Sequence, residues 1–344
     1  MTLRLNLALQ GGGAHGAFTW GVLDRLLEEP DLEIAGITGT SAGALNAAAL
    51  KAGLHDGGAA GARASLDRLW NDVGALVDLR VARWMSQAFP IATAFAEAVS
   101  DALPVSPVAV ASQVYTPYAW GAFWQNPLSE VVARFDFGKV CQREGPALFI
   151  SATNVRTGKI RVFEGEEISP ETLLASACLP TVFQAIELID PATGRPEVFW
   201  DGGFTGNPAL FPLYRPDLPE DIMIIAINPL RRDCIPQTPV EIQNRVNEIS
   251  FNAALLGELR AVNFVKRLIA EGRMPKGAMR DIRVHLVADE DLMNELGAGS
   301  KLQPSPGLLA QLKSAGRAAA EDWLGTHRSK VGKDSSVDLR GLFG

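Results

Sequence analysis

From Leu3 to Leu9 large apolar residues alternate with Arg4, Asn6 and Ala8, and the run stops at three consecutive glycines, Gly11-Gly12-Gly13. A two-residue period of this kind predicts a β-strand with one face against a core. Past the glycines, Phe18, Val22, Leu23, Leu26 and Leu27 recur at helical spacing until Pro30, which predicts a helix. A second apolar run, Ile34–Ile37, leads into Gly39-Thr40-Ser41-Ala42-Gly43 and then an alanine-rich stretch to Ala52. The opening therefore reads strand, helix, strand, helix. That order favours parallel pairing with right-handed crossovers, because a parallel connection needs an element long enough to carry the chain back.

The same patterns place later strands at Ala147–Val155, Lys159–Phe163, Glu197–Trp200, Asp221–Asn228 and Asp281–Val287, with a helix over Ser169–Cys178. The run Met223-Ile224-Ile225-Ala226-Ile227 is apolar throughout, as a central strand covered on both faces should be. The expected fold is α/β, a three-layer sandwich with a central, mostly parallel sheet and helices on both faces. Residues 1–325 would form one domain and 326–344 a polar C-terminal tail. Within the domain, 81–136 changes character: positions 102–129 carry no charge but collect Tyr115, Tyr118, Trp120, Phe123 and Trp124. Pro104, Pro107, Pro117 and Gly121 interrupt that stretch, so it is not expected to cross a membrane as a helix. As a lid-like insertion it is expected to cover a binding pocket or dip into a membrane interface, or else to form a second core layer.

Composition narrows the function classes. With 344 residues, 47% of them hydrophobic, the chain can bury a large core. A net charge of −7 opposes nucleic-acid binding, which needs a dense basic surface. The three cysteines, Cys141, Cys178 and Cys234, are far apart and fit neither a disulfide framework nor a metal site. No metal or other cofactor is expected. Met1–Leu9 runs directly into the first strand without a signal-peptide pattern, so the expected location is cytoplasmic, with peripheral contact at a membrane.

Three motifs carry candidate chemistry. Gly39-Thr40-Ser41-Ala42-Gly43 is a G-x-S-x-G pentapeptide between a predicted strand and helix. A sharp turn there exposes the hydroxyl, flanking glycines permit close packing, and the helix N-terminus favours developing negative charge. Ser41 alone would also read as an ordinary N-cap. Gly11-Gly12-Gly13-Ala14-His15-Gly16 matches a dinucleotide-binding fingerprint, but the second strand ends in Gly39-Thr40-Ser41 where that site requires an acid for the ribose. The alternative use is an oxyanion hole, with N–H groups of Gly11, Gly12, Gly13 and Ala42 as candidates. Asp201-Gly202-Gly203 follows Val198-Phe199-Trp200, and Asp201 is a candidate base that would otherwise read as a turn aspartate. Of the four histidines, His285 sits inside a predicted strand and is the alternative base, completing a Ser-Asp-His order.

Together the three blocks, in order, resemble the signature blocks of the patatin-like phospholipases, and Ala175-Ser176-Ala177-Cys178-Leu179-Pro180 resembles a further family block. The resemblance spans most of Leu3–Asn228. It implies a serine lipid acyl hydrolase of the phospholipase A, lysophospholipase or carboxylesterase type. Its catalytic dyad would be Ser41 and Asp201, and Gly16, Gly39, Gly43, Gly202, Gly203 and His15 would support the motifs. The implied partner is a lipid or acyl ester. Gln10 stands where the family often has an acid and His15 where it often has Arg or Lys, which removes a fixed positive charge from beside the oxyanion hole. The remaining alternatives are an oxidoreductase and a catalytically silent lipid- or protein-binding module.

Overall fold

The computed structural model describes residues 2–76, 117–118, 126–232, 235–275, 277–296, 300–301 and 304–342. Most of the stretch 81–136 expected as an insertion therefore lies outside the described residues, as does Cys234. The chain opens with β1 (Leu3–Leu9), α1 (Gly16–Leu26), β2 (Leu32–Gly39) and α2 (Ala42–Leu76). Within α2 the backbone leaves helical geometry at Gly57 and Gly58, where Gly58 has φ 59°, so α2 is two helices joined at a kink. Two short helices follow, α3 (Leu128–Val132) and α4 (Phe137–Val140), then β3 (Ala147–Asn154), β4 (Ile160–Glu164), α5 (Pro170–Ser176), β5 (Ile186–Asp190) and β6 (Arg195–Asp201). The remainder is β7 (Asp221–Ile225), the long α6 (Pro239–Ala270), β8 (Arg283–Val287), α7 (Glu290–Glu295), α8 (Pro306–His327) and α9 (Leu339–Leu342).

The eight strands form one sheet in the order β5-β6-β3-β2-β1-β7-β8, with β4 paired to β3. Pairing is parallel from β3 through β2, β1 and β7 to β8, and antiparallel for β4, β5 and β6. The period-two pattern of β1 divides the layers. Leu5, Leu7 and Leu9 pack with Phe18, Leu23, Leu50, Leu66 and Leu312 of α1, α2 and α8, whereas Ala8 joins Phe149, Ile222, Ile224 and Val284 under Leu255 and Leu259 of α6. This is the expected three-layer α/β sandwich. The strand read over Asp221–Asn228 stops at Ile225, because the N–H groups of Ile227 and Asn228 both donate to Gln10 Oε1, at 2.9 and 3.0 Å. The pattern missed β5, a short edge strand that leaves Ile189 exposed.

The described residues of 326–344, read from sequence as a tail, pack onto the sheet. α8 runs to His327, Ser336 N–H donates to Val284 O at 3.0 Å, and Leu339 is buried. On the other helical layer, α1 and α8 cross through glycines. A Cβ at Gly316 would stand 2.1 Å from the Phe18 carbonyl oxygen, and one at Gly21 would stand 2.0 Å from that of Lys313. Alanine improves helix propensity by about 1 kcal/mol, but backbone cannot yield as a flexible side chain does. Gly316→Ala is therefore expected to cost about 2 kcal/mol net, read as a lower midpoint in urea; an unchanged midpoint would show that the helices separate freely.

Candidate active site

The turn from β2 into α2 holds Ser41 at φ 55°, and among the described residues it is the only non-glycine with positive φ. Such a conformation costs on the order of 1–3 kcal/mol and persists only where the surroundings enforce it. The surroundings here are tight. Gly43 passes so close to the end of β1 that a Cβ would lie 2.2 Å from Leu9 O, and a Cβ on Gly11 would lie 2.5 Å from that of Ser41. Gly39 and Gly16 face Gly43 and Ala42 at equally short range. Ser41 N–H donates to Ser176 Oγ at 2.9 Å, and Thr40 Oγ1 donates to Gly206 O at 2.7 Å, so α5 and the loop after β6 both brace the turn. Ala42 opens α2, and a first helical residue has no acceptor within its own helix for its N–H.

Asp201 reaches Ser41 through strand register. β2 ends at Gly39 opposite Ile150 of β3, and β6 pairs with Ala152–Asn154 farther along, placing Asp201 opposite Ala152. Because β4 occupies the other flank of β3 over Phe149–Thr153, β6 continues on the flank that β2 vacates. The two motifs, distant in sequence, meet at that junction. Gly202 packs beneath Thr40, with a hypothetical Cβ 3.0 Å from the Thr40 methyl and 2.2 Å from Ser151 O.

The Asp201 carboxyl is fully buried. Its N–H donates to Cys178 O at 2.8 Å, its carbonyl accepts from Thr153 Oγ1 at 2.8 Å, and Oδ1 accepts from Gly203 N–H at 2.7 Å. Oδ2 makes no hydrogen bond of normal geometry among the described residues. Burial pushes the carboxyl up to about 7, and the Gly203 N–H and the neighbouring Ser41 hydroxyl only partly oppose this. Ser41 is thus near enough to act on the carboxyl electrostatically without closing a bond to Oδ2.

The glycine turn after β1 corrects one expectation. Gly11 N–H already donates to Asn207 Oδ1 at 2.6 Å, so Gly11 has no free donor for an oxyanion and serves instead as the close contact behind Ser41. Its carbonyl accepts from Asn207 Nδ2 at 3.2 Å and Asn228 Nδ2 at 2.8 Å. The N–H groups of Gly12 and Gly13 have no acceptor among the described residues. Gly13 has φ 58°, and a Cβ there would stand 2.2 Å from Lys301 O, so no other residue fits.

His15 does not present a charge to the site. It is buried with Nε2 2.7 Å from Ser300 Oγ, and burial, reinforced by Lys301, pushes it down to about 3. His285 lies elsewhere: its Nε2 is 3.0 Å from Asp221 Oδ1, at the end of β7 where the parallel strands begin, whereas Ser41 follows the end of β2 where they finish. Asp221 also accepts from Arg283 and from Gly332 N–H, and these bonds outweigh burial to hold it down at about 2. This pair ties the C-terminal segment to β7 and β8.

Several site residues carried no motif signal: Asn207 and Asn228 on Gly11, and Lys301 on Gly13; Gln10, noted in the sequence only as a departure from the family, joins β1 to Ile227, Asn228, Asn207 and Asn252. Ser176 falls inside the Ala175–Pro180 block, yet nothing in that block marks it as the acceptor of the Ser41 N–H. Among the described residues no cluster of His, Cys, Asp or Glu could hold a metal ion, and no helix is long and apolar enough to cross a membrane.

No curated protein matches the chain. Among solved structures it is similar to VipD from Legionella pneumophila, at a TM-score of 0.43 and 14% identity, covering 94% of this chain and 67% of that one. The family model described as patatin-like phospholipase matches residues 7–214, a span that starts in β1, contains Ser41 and Asp201, and takes up more than half of the chain. The protein belongs to the patatin-like phospholipase family.

Proposed function

We propose that the protein hydrolyses carboxylic esters of lipids through a Ser41–Asp201 dyad and an acyl-enzyme. The observation that carries this reading is the pairing of a serine held at φ 55° with a buried carboxyl pushed up to about 7, with no cation against it among the described residues. An aspartate near its ordinary pKa is a feeble base, and one near 7 can take and return a proton at physiological pH. In the proposed sequence, Ser41 Oγ attacks the ester carbonyl while its proton passes to Asp201 Oδ2. The tetrahedral oxyanion is met by the N–H groups of Gly12, Gly13 and Ala42, at the N-terminus of α2. Collapse expels the alcohol, which takes the proton from Asp201. Asp201 then accepts a proton from the water that attacks the acyl-enzyme, and returns it to Ser41 as the carboxylic acid leaves.

The family supports lipid substrates, and the phospholipase A, lysophospholipase and carboxylesterase types all fit this chemistry. Transient contact with a lipid surface accords with exposed Ile242, Val246 and Ile249 on α6, the helix whose Phe251 and Asn252 reach Gly203 and Gln10. The test is incubation with a fluorophosphonate, followed by peptide mass spectrometry and assay on acyl esters of increasing chain length. One phosphonyl adduct on Ser41, with loss of turnover in proportion, is expected. Full turnover in protein modified at Ser41, or no turnover by the untreated protein on any ester, would overturn the reading.

A Ser-Asp-His triad through His285 predicts a different mutant. Because His285 is engaged with Asp221, His285→Ala is expected to retain turnover within about twofold while losing roughly 1–3 kcal/mol of stability for the hydrogen bond lost from the buried carboxylate. Loss of kcat without loss of thermal stability would favour the triad.

A further inference from the structure

Lys301 lies between α7 and α8, in no motif, yet it packs against the glycine turn. Its carbonyl oxygen stands 2.2 Å from where a Gly13 Cβ would be. Its Nζ donates to Asn228 Oδ1 at 2.8 Å and lies 3.6 Å from Glu248 Oε1. Asn228 in turn rests on the turn, with Oδ1 3.5 Å from a hypothetical Gly12 Cβ and Nδ2 donating to Gly11 O at 2.8 Å.

The chemistry of these partners makes the arrangement directional. An ammonium only donates, so it requires the oxygen of the Asn228 amide on its own side. The amide nitrogen is thereby turned toward Gly11 O. That carbonyl and the N–H of Gly12 share one planar trans peptide and point in opposite directions, so whatever holds the first aims the second. We propose that Lys301 is a positioning residue for ester hydrolysis: through Asn228 it fixes the Gly11–Gly12 peptide so that the Gly12 N–H, without an acceptor among the described residues, points at the acyl oxygen. The inference rests on the hydrolase reading above.

Lys301 is also placed to make the device sensitive to pH. The groups facing it are Glu248 and, behind it, Arg245 on α6, Arg232 from the segment after β7, and His15 from the turn after β1. Burial pushes the Lys301 ammonium down to about 8; Glu248 opposes this and Arg232 adds to it. A neutral amine can accept as well as donate, so deprotonation weakens the hold on the Asn228 amide, leaving only Gly11 O and Gln10 Oε1 to orient its nitrogen. Activity should then fall on the alkaline side near pH 8.

The experiment is kcat and KM for a water-soluble acyl ester from pH 6 to 10, for the wild type, Lys301→Met and Lys301→Arg, with thermal unfolding of each. Lys301→Met is expected to lower kcat about 10- to 100-fold, less than loss of a direct oxyanion donor, with KM within about threefold and no alkaline limb. Lys301→Arg, whose guanidinium stays charged, should restore most of kcat and carry activity undiminished past pH 9. A wild-type kcat and an unmoved alkaline limb in Lys301→Met overturn the proposal. Should that variant fail to fold, an alkaline limb still near pH 8 in Lys301→Arg overturns it as well. A wild type inert on every ester defeats the hydrolase reading instead, and this inference falls with it.

Discussion

Ser41→Ala is expected to abolish ester turnover, by roughly four orders of magnitude or more, while leaving thermal stability unchanged. The size of the loss follows from the role: without Oγ no acyl-enzyme forms, and what survives is positioning by the oxyanion N–H groups alone. The unchanged stability follows from the backbone. Alanine keeps the Cβ that makes φ 55° costly, and the Ser176 bond is made to the Ser41 N–H, which the substitution retains. Ser41→Gly separates the two effects. It should be equally inactive but more stable by about 1 kcal/mol, because glycine occupies the left-handed region without penalty. Steady-state assays paired with thermal melts read both. Retention of more than a tenth of wild-type kcat in Ser41→Ala would remove Ser41 from the chemistry.

Asp201→Asn is the second large effect, and here activity and stability move in opposite directions. An amide cannot accept the Ser41 proton, so kcat should fall at least about 10³-fold. In the wild type the folded carboxyl titrates near 7, against an ordinary value of 3.8. A folded pKa above the unfolded one means that the native state binds the proton more tightly. The stability this contributes is fully present below about 3.8 and is lost as pH rises through about 7. Above neutrality the native fold therefore carries a buried, half-partnered charge that asparagine lacks. Asp201→Asn should be more stable at pH 8 by on the order of 2 kcal/mol, an advantage that shrinks toward pH 4. Equal melting temperatures for the two proteins at both pH values would show that Asp201 is not held near 7. Wild-type activity should correspondingly rise as pH passes through about 7, since only the ionised carboxylate can act as the base.

The expected effects arise at two costly points of the structure, a serine at φ 55° and a desolvated acid. Both strains are held by ordinary packing: Leu9 O against Gly43, Ser176 Oγ on the Ser41 N–H, and Phe251 against Gly203. A loss at any of these supports should relax the site before it unfolds the domain.

The sequence by itself determined most of the architecture. The alternation in Leu3–Leu9, the helical spacing after the glycines and the unbroken apolar run from Met223 to Ile227 depend on local periodicity, which burial on one face or two imposes directly on residue choice. The strand-to-helix turn at Ser41 and the close approach at Gly43 were equally legible as structure, because a sharp turn and a backbone-on-backbone contact admit few residue types. The motif alone could not reveal that Gly11 spends its N–H on Asn207, since a glycine signals room and not which partner fills it. Nor could it place His285 beside Asp221, away from Ser41, or turn the segment after Thr326 onto β8. Asn207, Asn228, Ser176 and Lys301 had no local pattern to betray them. Their roles arise from long-range hydrogen bonds, which select one polar atom at one distance and impose no period on the chain. Only the tertiary structure, through the register that lets β6 take over the flank of β3 that β2 leaves, decided that a serine and an aspartate far apart in sequence would share one site.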